Sequence, residues 1–245
     1  MNALHTAAID IVADPVLRAE GLGRVFPSRA GDVVALDGID LEVYPGELVV
    51  VRGPSGAGKS TLLRLLGGLD SPTTGEIWVH GTSFASLSED EAALLRRDDL
   101  GFIFQSFGLI PVLSAAENVE LPLRMTKTDA AARAARVAEV LALVGLSDHA
   151  AQRPDELSGG QQQRVGIARA LAVPPRILIA DEPTAQLDSV NAAVVMDLLA
   201  SLVDTDGLSV VIATHDPDLA ARAHRVIELH DGRQRRPAGR HKAQG

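Results

Sequence analysis

Residues 48–66 constrain this chain more than any others. The apolar run Leu48-Val49-Val50-Val51 leads to Gly53-Pro54-Ser55-Gly56-Ala57-Gly58-Lys59-Ser60-Thr61, and Leu62-Leu63-Arg64-Leu65-Leu66 follows. The first run reads as a buried strand and the last as a helix. Between them, a loop matching G-x-x-x-x-G-K-[ST] lets the backbone turn around phosphate, its amides aimed in from the helix's positive end. Lys59 is placed to reach the outer phosphates, and the Ser60 hydroxyl to ligate Mg²⁺. A glycine-rich turn with an incidental lysine is the plainer reading, but it leaves the strand–loop–helix order unexplained.

Such a loop serves kinases, GTPases, helicases and transport ATPases alike, so the narrowing comes from elsewhere. Arg176-Ile177-Leu178-Ile179-Ala180 is an apolar strand that ends in Asp181-Glu182. Carboxylates at that end lie where ligands gather in open parallel sheets. Asp181 suits a Mg²⁺ shell, usually through water. Glu182, one residue on, points elsewhere and is placed to orient or deprotonate an attacking water. A solvated carboxylate at a strand end is the alternative for Glu182. A second glycine-rich stretch runs Leu157-Ser158-Gly159-Gly160-Gln161-Gln162-Gln163-Arg164. Ser158-x-x-Gln161 is a capping-box pattern, and Val165, Ile167, Ala168 and Leu171 continue the helix it opens. Gly159 and Gly160 leave the first amides bare, which makes either another anion site or an ordinary capped helix start.

Leu157–Gln161, with Ser158 lying 24 residues before Glu182, resembles the signature of ABC-type ATPases. The resemblance covers about residues 16–230 and carries expectations that spacing alone does not. It implies that Ser158, Gly159, Gly160 and Gln161 grip the γ-phosphate of an ATP held by another subunit, so that two chains sandwich two nucleotides head to tail. In Phe104-Gln105-Ser106-Phe107, Gln105 would touch Mg²⁺ or the attacking water. His215, in Ala213-Thr214-His215-Asp216 after the strand 208–212, would contact the γ-phosphate and orient water with Glu182. Out of that context it reads as a structural histidine, with Asp216 capping the next helix. Leu187-Asp188 matches the loop that crosses the dimer, although Ala185-Gln186 departs from the usual small pair before it. Phe26 is the candidate to stack on adenine; the alternative is a core phenylalanine near a strand end. ATP and Mg²⁺ are thus the expected substrate and cofactor, with Glu182, His215, Gln105 and Lys59 as the catalytic set.

Composition agrees. The chain has 245 residues, a formal net charge of −9 and no cysteine. The negative balance argues against nonspecific nucleic-acid binding, and neither a disulfide nor a cysteine-ligated metal site is possible. No run approaches the roughly 18 apolar residues of a membrane span, and the N-terminus has no signal-peptide pattern. Work at a membrane would be borrowed from a partner, placing the chain peripherally on the cytoplasmic side.

The expected architecture is α/β: a mostly parallel nucleotide-binding core with flanking helices, an antiparallel β layer and an inserted helical subdomain. Residues 1–14 read as a loose extension, 15–232 as the ATPase domain and 233–245 as a basic, disordered tail. Within the domain, 16–51 is β-rich and 76–80 is a strand. Ser88-x-x-Glu91 opens a helix through Arg96. Residues 110–156 are helical, with a capping box at Ser114-x-x-Glu117 and an amphipathic helix over 129–144. Strands at 176–181, 208–213 and 225–229 then alternate with helices at 189–203 and 217–223.

Gly101-Phe102-Ile103-Phe104-Gln105 and Glu117-Asn118-Val119, taken with the two loops, resemble the ATPases of lipoprotein-release and macrolide-export transporters. That resemblance implies a membrane permease whose short coupling helix docks near Gln105 and the helical subdomain, where Phe107-Gly108-Leu109-Ile110-Pro111 offers apolar surface. It also implies a homodimer or a paired ATPase on ATP binding. A mechanical signalling ATPase acting on a division-associated partner is the alternative. A soluble family member acting on ribosomes or DNA is disfavoured, since the chain carries neither a second ATPase unit nor a large insertion. Cargo and direction of movement leave no mark in this sequence.

Overall fold

Period-two patterning organises the N-terminal quarter. The computed structural model of the protein describes residues 14–29, 31–215 and 217–235. Strands β1 (Leu17–Phe26) and β2 (Val33–Val43) pair antiparallel from Leu17 opposite Val43 to Phe26 opposite Val33, with register shifts between. Their alternate residues Leu17, Ala19, Ile39, Leu41 and Val43 are buried, as a sheet with one face on a core requires. After β3 (Leu48–Arg52) and α1 (Lys59–Leu66), β4 (Thr74–Val79) and β5 (Thr82–Ser83) complete this sheet in the order β2-β1-β4-β5.

Helix α2 (Glu89–Asp99) starts at the expected capping box and runs directly into β6 (Leu100–Ile103). The sequence reading carried no strand at β6. Four residues interrupted by Gly101 give no usable period, and only packing decides there: a Cβ at Gly101 would meet the Ala170 carbonyl at 2.9 Å. Helices α3 (Ala115–Met125), α4 (Ala130–Leu143) and α5 (Gly159–Ala172) form the helical layer, followed by β7 (Ile177–Asp181). Then come α6 (Ser189–Asp206), β8 (Ser209–Ala213), α7 (Pro217–Arg222) and β9 (Arg225–His230). The tail assignment needs one correction: Arg233–Arg235 forms strand β10, paired antiparallel with β9. Arg233 is held there by two hydrogen bonds to the Asp37 carboxylate. The remainder of the tail, and nearly all of the N-terminal extension, lie outside the described residues.

The second sheet has the order β10-β9-β3-β8-β7-β6 and is parallel except at β10. Its central strands β3, β8 and β7 are buried on both faces and read as continuous apolar runs, whereas β9 alternates and β10 is exposed. Val49, Val51, Ile177, Ile179, Val211 and Ala213 pack toward α1 and the antiparallel layer. Leu48, Val50, Leu178, Ala180, Val210 and Ile212 pack toward α3, α4, α5 and α6. The helical layer therefore shares one core with the sheet. Functionally, the decisive outcome is the strand order: β8 lies between β3 and β7, with Val51 and Asp181 both opposite Ala213. Three loops distant in sequence emerge side by side at the carboxyl ends of these strands.

Candidate functional site

The phosphate loop is shaped by what surrounds it. Gly58, with φ of 98°, takes a backbone conformation that favours glycine, and a Cβ there would lie 2.5 Å from the Ala35 carbonyl. Gly58 is also the residue before α1, where no side chain caps the helix. The first amides of α1 are therefore left for a ligand, which is the arrangement that binds phosphate. Lys59 is 8% exposed, and its ammonium donates to the carbonyls of Gly53 at 2.8 Å and Pro54 at 3.2 Å. It also lies 3.7 Å from Glu182 Oε1.

Glu182 follows the last residue of β7 and adopts φ of 47°, a left-handed conformation uncommon for a residue with a Cβ. The bond from its amide to the Ala213 carbonyl, at 2.9 Å, fixes it onto β8. Strain held by surrounding structure in this way points to a functional role. His215 Nδ1 lies 3.0 Å from Glu182 Oε2, and its ring is largely exposed beside the mostly covered carboxylate. Lys59, Ser60, Gln105, Glu182 and His215 line one open cleft of about 670 Å³, together with Ser55, Gly56, Gly58 and Thr61 of the loop and Val33–Ala35 of β2.

Asp181 lies just behind this cleft. Burial pushes its carboxyl above the ordinary range; the neighbouring Ser60 hydroxyl pulls it down, the Glu182 charge pushes it up further and the Lys59 charge pulls it down. One of its oxygens is buried without a hydrogen-bond partner. An orphaned carboxylate oxygen beside a serine hydroxyl is a donor set that fits Mg²⁺. Among the described residues no group of three or more His, Cys, Asp or Glu is arranged for a metal, so the ion's other ligands would be water and phosphate oxygen.

The remaining expected residues lie elsewhere. Ser158 opens α5 through a reciprocal capping box: the Gln161 amide donates to Ser158 Oγ at 3.2 Å, and the Ser158 amide donates to Gln161 Oε1 at 2.8 Å. Asp188 caps α6, accepting from both the amide and the side chain of Asn191. A Cβ on Gly160 would meet that Asn191 side chain at 3.0 Å, so the two glycine-bearing and aspartate-bearing loops pack together. None of Ser158, Gly159, Gly160, Gln161 and Asp188 lines the cleft around Lys59. Phe26 is also absent from that lining; it ends β1 at 37% exposure, with the Arg24 guanidinium stacked 4.6 Å from its ring centre. Asp216 lies outside the described residues.

Two residues hold the segment that follows Gln105, in roles that sequence reasoning did not assign. Arg169 of α5 donates to the carbonyls of Phe107 at 3.1 Å and Gly108 at 2.6 Å. Asn118, fully buried in α3, accepts from the Ile110 amide and donates toward the carbonyls of Ile110, Leu113 and Ser114. For Asn118 the sequence signals are its place in Glu117-Asn118-Val119 and a polar side chain on an otherwise apolar helical face; for Arg169 there is none.

Comparison with known proteins agrees with this geometry. The family described as ABC transporter matches residues 36–185. The lipoprotein-releasing system ATP-binding protein LolD 1 of Rhodospirillum rubrum is 48% identical over 89% of this chain and 96% of its own. A macrolide export ATP-binding/permease protein, MacB of Rhodopseudomonas palustris, is 49% identical over 90% of this chain, which spans only 34% of that relative's length. Among solved structures, the dimeric post-hydrolysis state of the ATP-binding cassette MJ0796 bound to ADP and Pi superposes with a TM-score of 0.85 at 42% identity. That match covers 90% of this chain and 97% of the other.

Proposed function

The chain belongs to the ABC transporter family as an ATP-hydrolysing cassette, and from that premise we propose that it drives a membrane permease by closing on ATP with a second copy of itself. One observation carries the reading. Lys59, Ser60, Gln105, Glu182 and His215 share a cleft, whereas Ser158 and the bare amides of α5 stand outside it. An anion site at α5 that its own cleft does not use is explained if it completes the cleft of an opposed copy. The dimeric neighbour supports such an arrangement, and the lipoprotein-releasing and macrolide-export names of the relatives favour transport over mechanical signalling.

Residues 15–232, extended by β10 to Arg235, act as the ATPase domain, with α3 and α4 of the helical layer inserted between Gln105 and Ser158. The amides of the loop and of α1 cradle the phosphates, and Lys59 shifts its charge from Glu182 to them. Phe26 offers adenine the ring face that Arg24 does not cover. Ser60 and Asp181 would hold Mg²⁺, with Gln105 as the third residue of the set, and the ion would screen the phosphate charge. Glu182 Oε2 accepts a proton from the attacking water, and His215 Nδ1, bonded to the same oxygen, steers that carboxylate. The strained backbone and the Ala213 bond keep Glu182 aimed while the rest of the cleft fills.

The permease contact is proposed beside the Gln105 segment. A groove of about 600 Å³ lies there between α2, α3 and α5, lined by Phe102, Phe104, Pro122, Met125 and Val173. Met125 is 70% exposed, and a short apolar helix suits such a groove. Among the described residues no helix is long and apolar enough to cross a membrane, so attachment at the cytoplasmic face would come through that partner.

Sedimentation tests the sandwich. The Glu182→Gln protein with Mg²⁺ and ATP is expected to form a stable dimer that dissociates when ATP is removed. A trapped, ATP-loaded protein that stays monomeric, alone or with its permease, rules the scheme out.

A further inference from the structure

His149 has no part in the chemistry above, yet its ring touches the helix that carries Ser158. It closes a short turn, Ser147–His149, between α4 and α5, and is half-buried. A chain of three hydrogen bonds fixes its state. The Ser158 amide can only donate, so the Gln161 atom 2.8 Å from it is the carboxamide oxygen. The other end of that carboxamide is therefore the NH₂ group, which lies 3.1 Å from His149 Nε2. A ring nitrogen facing an NH₂ group must offer a lone pair. The imidazole is then neutral and carries its hydrogen on Nδ1, which donates to Gln152 Oε1 at 2.7 Å. Gln152 is itself anchored: its amide bonds to the His149 carbonyl, and its own carbonyl accepts from Ala115 in the first turn of α3 at 2.7 Å.

We propose that His149 is a positioning residue for the ATP sandwich, the acceptor that keeps the Gln161 carboxamide oxygen on the Ser158 amide and so sets the Ser158 hydroxyl and the start of α5 for the γ-phosphate of the opposed copy. The inference rests on the reading of the Ser158 loop given above. Protonation at Nε2 turns the acceptor into a donor facing an NH₂ group. The carboxamide relieves that clash only by turning over, and its oxygen then leaves the Ser158 amide. The histidine–carboxylate pairs among the described residues involve His80, His215 and His230. The charged groups on elements around the turn include Asp148 beside His149, Arg153, Asp155 and Glu156 before α5, Glu117 in the first turn of α3, and Arg164 of α5, which donates to the Val144 carbonyl. On α4 they include Arg136 and Glu139, bonded to one another.

Two measurements on the full chain test this. Long-range nitrogen NMR of the nucleotide-free protein, with the His149 signals identified by their loss in His149→Gln, is expected to show the neutral Nδ1–H form at neutral pH. An Nε2–H form overturns the inference and leaves the sandwich reading intact. In the Glu182→Gln background, the Mg²⁺·ATP dimer is then followed by sedimentation. His149→Gln keeps an acceptor where Nε2 stood and is expected to dimerise like its parent. His149→Arg offers only donors and is expected to weaken the dimer about 5-fold at each of two sites, roughly 25-fold in all, the usual worth of one hydrogen bond per site. On acidification the parent dimer loses affinity more steeply than the His149→Gln dimer. Equal affinity of the Gln and Arg variants, or identical acid profiles of parent and His149→Gln, overturns the inference alone. A parent that fails to dimerise overturns both readings.

Discussion

Glu182→Gln is expected to tighten ATP binding while it blocks turnover, and the first effect follows from the nucleotide-free cleft. Lys59 Nζ lies 3.7 Å from Glu182 Oε1, with both side chains about one-tenth exposed. At an effective dielectric near 20, such a pair attracts by about 4 kcal/mol. An arriving triphosphate must draw the Lys59 charge away, so the pair competes with the substrate. Desolvation of the two groups cancels much of the attraction, leaving a net competition of about 1–2 kcal/mol. Removing it should lower the Kd for ATP about 5- to 30-fold. Gln has the same shape, can still meet His215 Nδ1, and inherits the fixed backbone at φ of 47°. It cannot take a proton from water, so hydrolysis should fall about 10²- to 10⁴-fold. Equilibrium binding read by calorimetry, at concentrations where both proteins sediment as monomers, measures the first effect, and phosphate release measures the second. An unchanged or raised Kd would refute the competition, and parent-like phosphate release would remove Glu182 from its role.

Two further outcomes concern the frame that holds the cleft. Asn118→Ala strips bonds from the Ile110 amide and from three carbonyls at a fully buried position, and is expected to cost about 2–4 kcal/mol in urea unfolding. A loss under about 1 kcal/mol would mean that water or relaxation satisfies these groups. Burial pushes the Glu47 carboxyl up, but the Arg225 guanidinium and the Tyr44 amide more than offset it, so the group titrates below its ordinary value. A folded pKa below the unfolded one gives stability that is present above about pH 4.3 and fades as pH falls through the folded value. The stability gap between the parent and Glu47→Gln should therefore hold at neutral pH and shrink on acidification below that point. A gap that widens there contradicts the assignment.

Those frame residues mark the limit of what was legible beforehand. The capping boxes at Ser88, Ser114 and Ser158 formed as the sequence pattern required, because a cap is made within four residues and needs nothing distant. Strand β6 and the anchoring of Phe107 by Arg169 were invisible for the opposite reason. A four-residue strand with a glycine has no period, and an arginine on a helix does not name the carbonyl it will reach across the fold. Phe26 shows the same limit: an aromatic at a strand end is visible in the sequence, whereas the Arg24 stack on its ring and its place opposite Val33 of the cleft lining depend on how β1 and β2 pair.

By itself the sequence determined the chemistry of phosphate recognition: a glycine loop, a lysine and serine at the start of α1, and two acids at the end of an apolar strand. These are local devices, set by backbone conformations and side-chain types that neighbouring residues dictate. Tertiary structure alone decided that β8 would lie between β3 and β7, which brings Lys59, His215 and Glu182 within reach of one another. It also left the Ser158 loop outside the lining of its own cleft. Strand order and loop direction arise from hydrogen-bond register and the burial of both sheet faces, which couple residues far apart in the chain and leave no period to read.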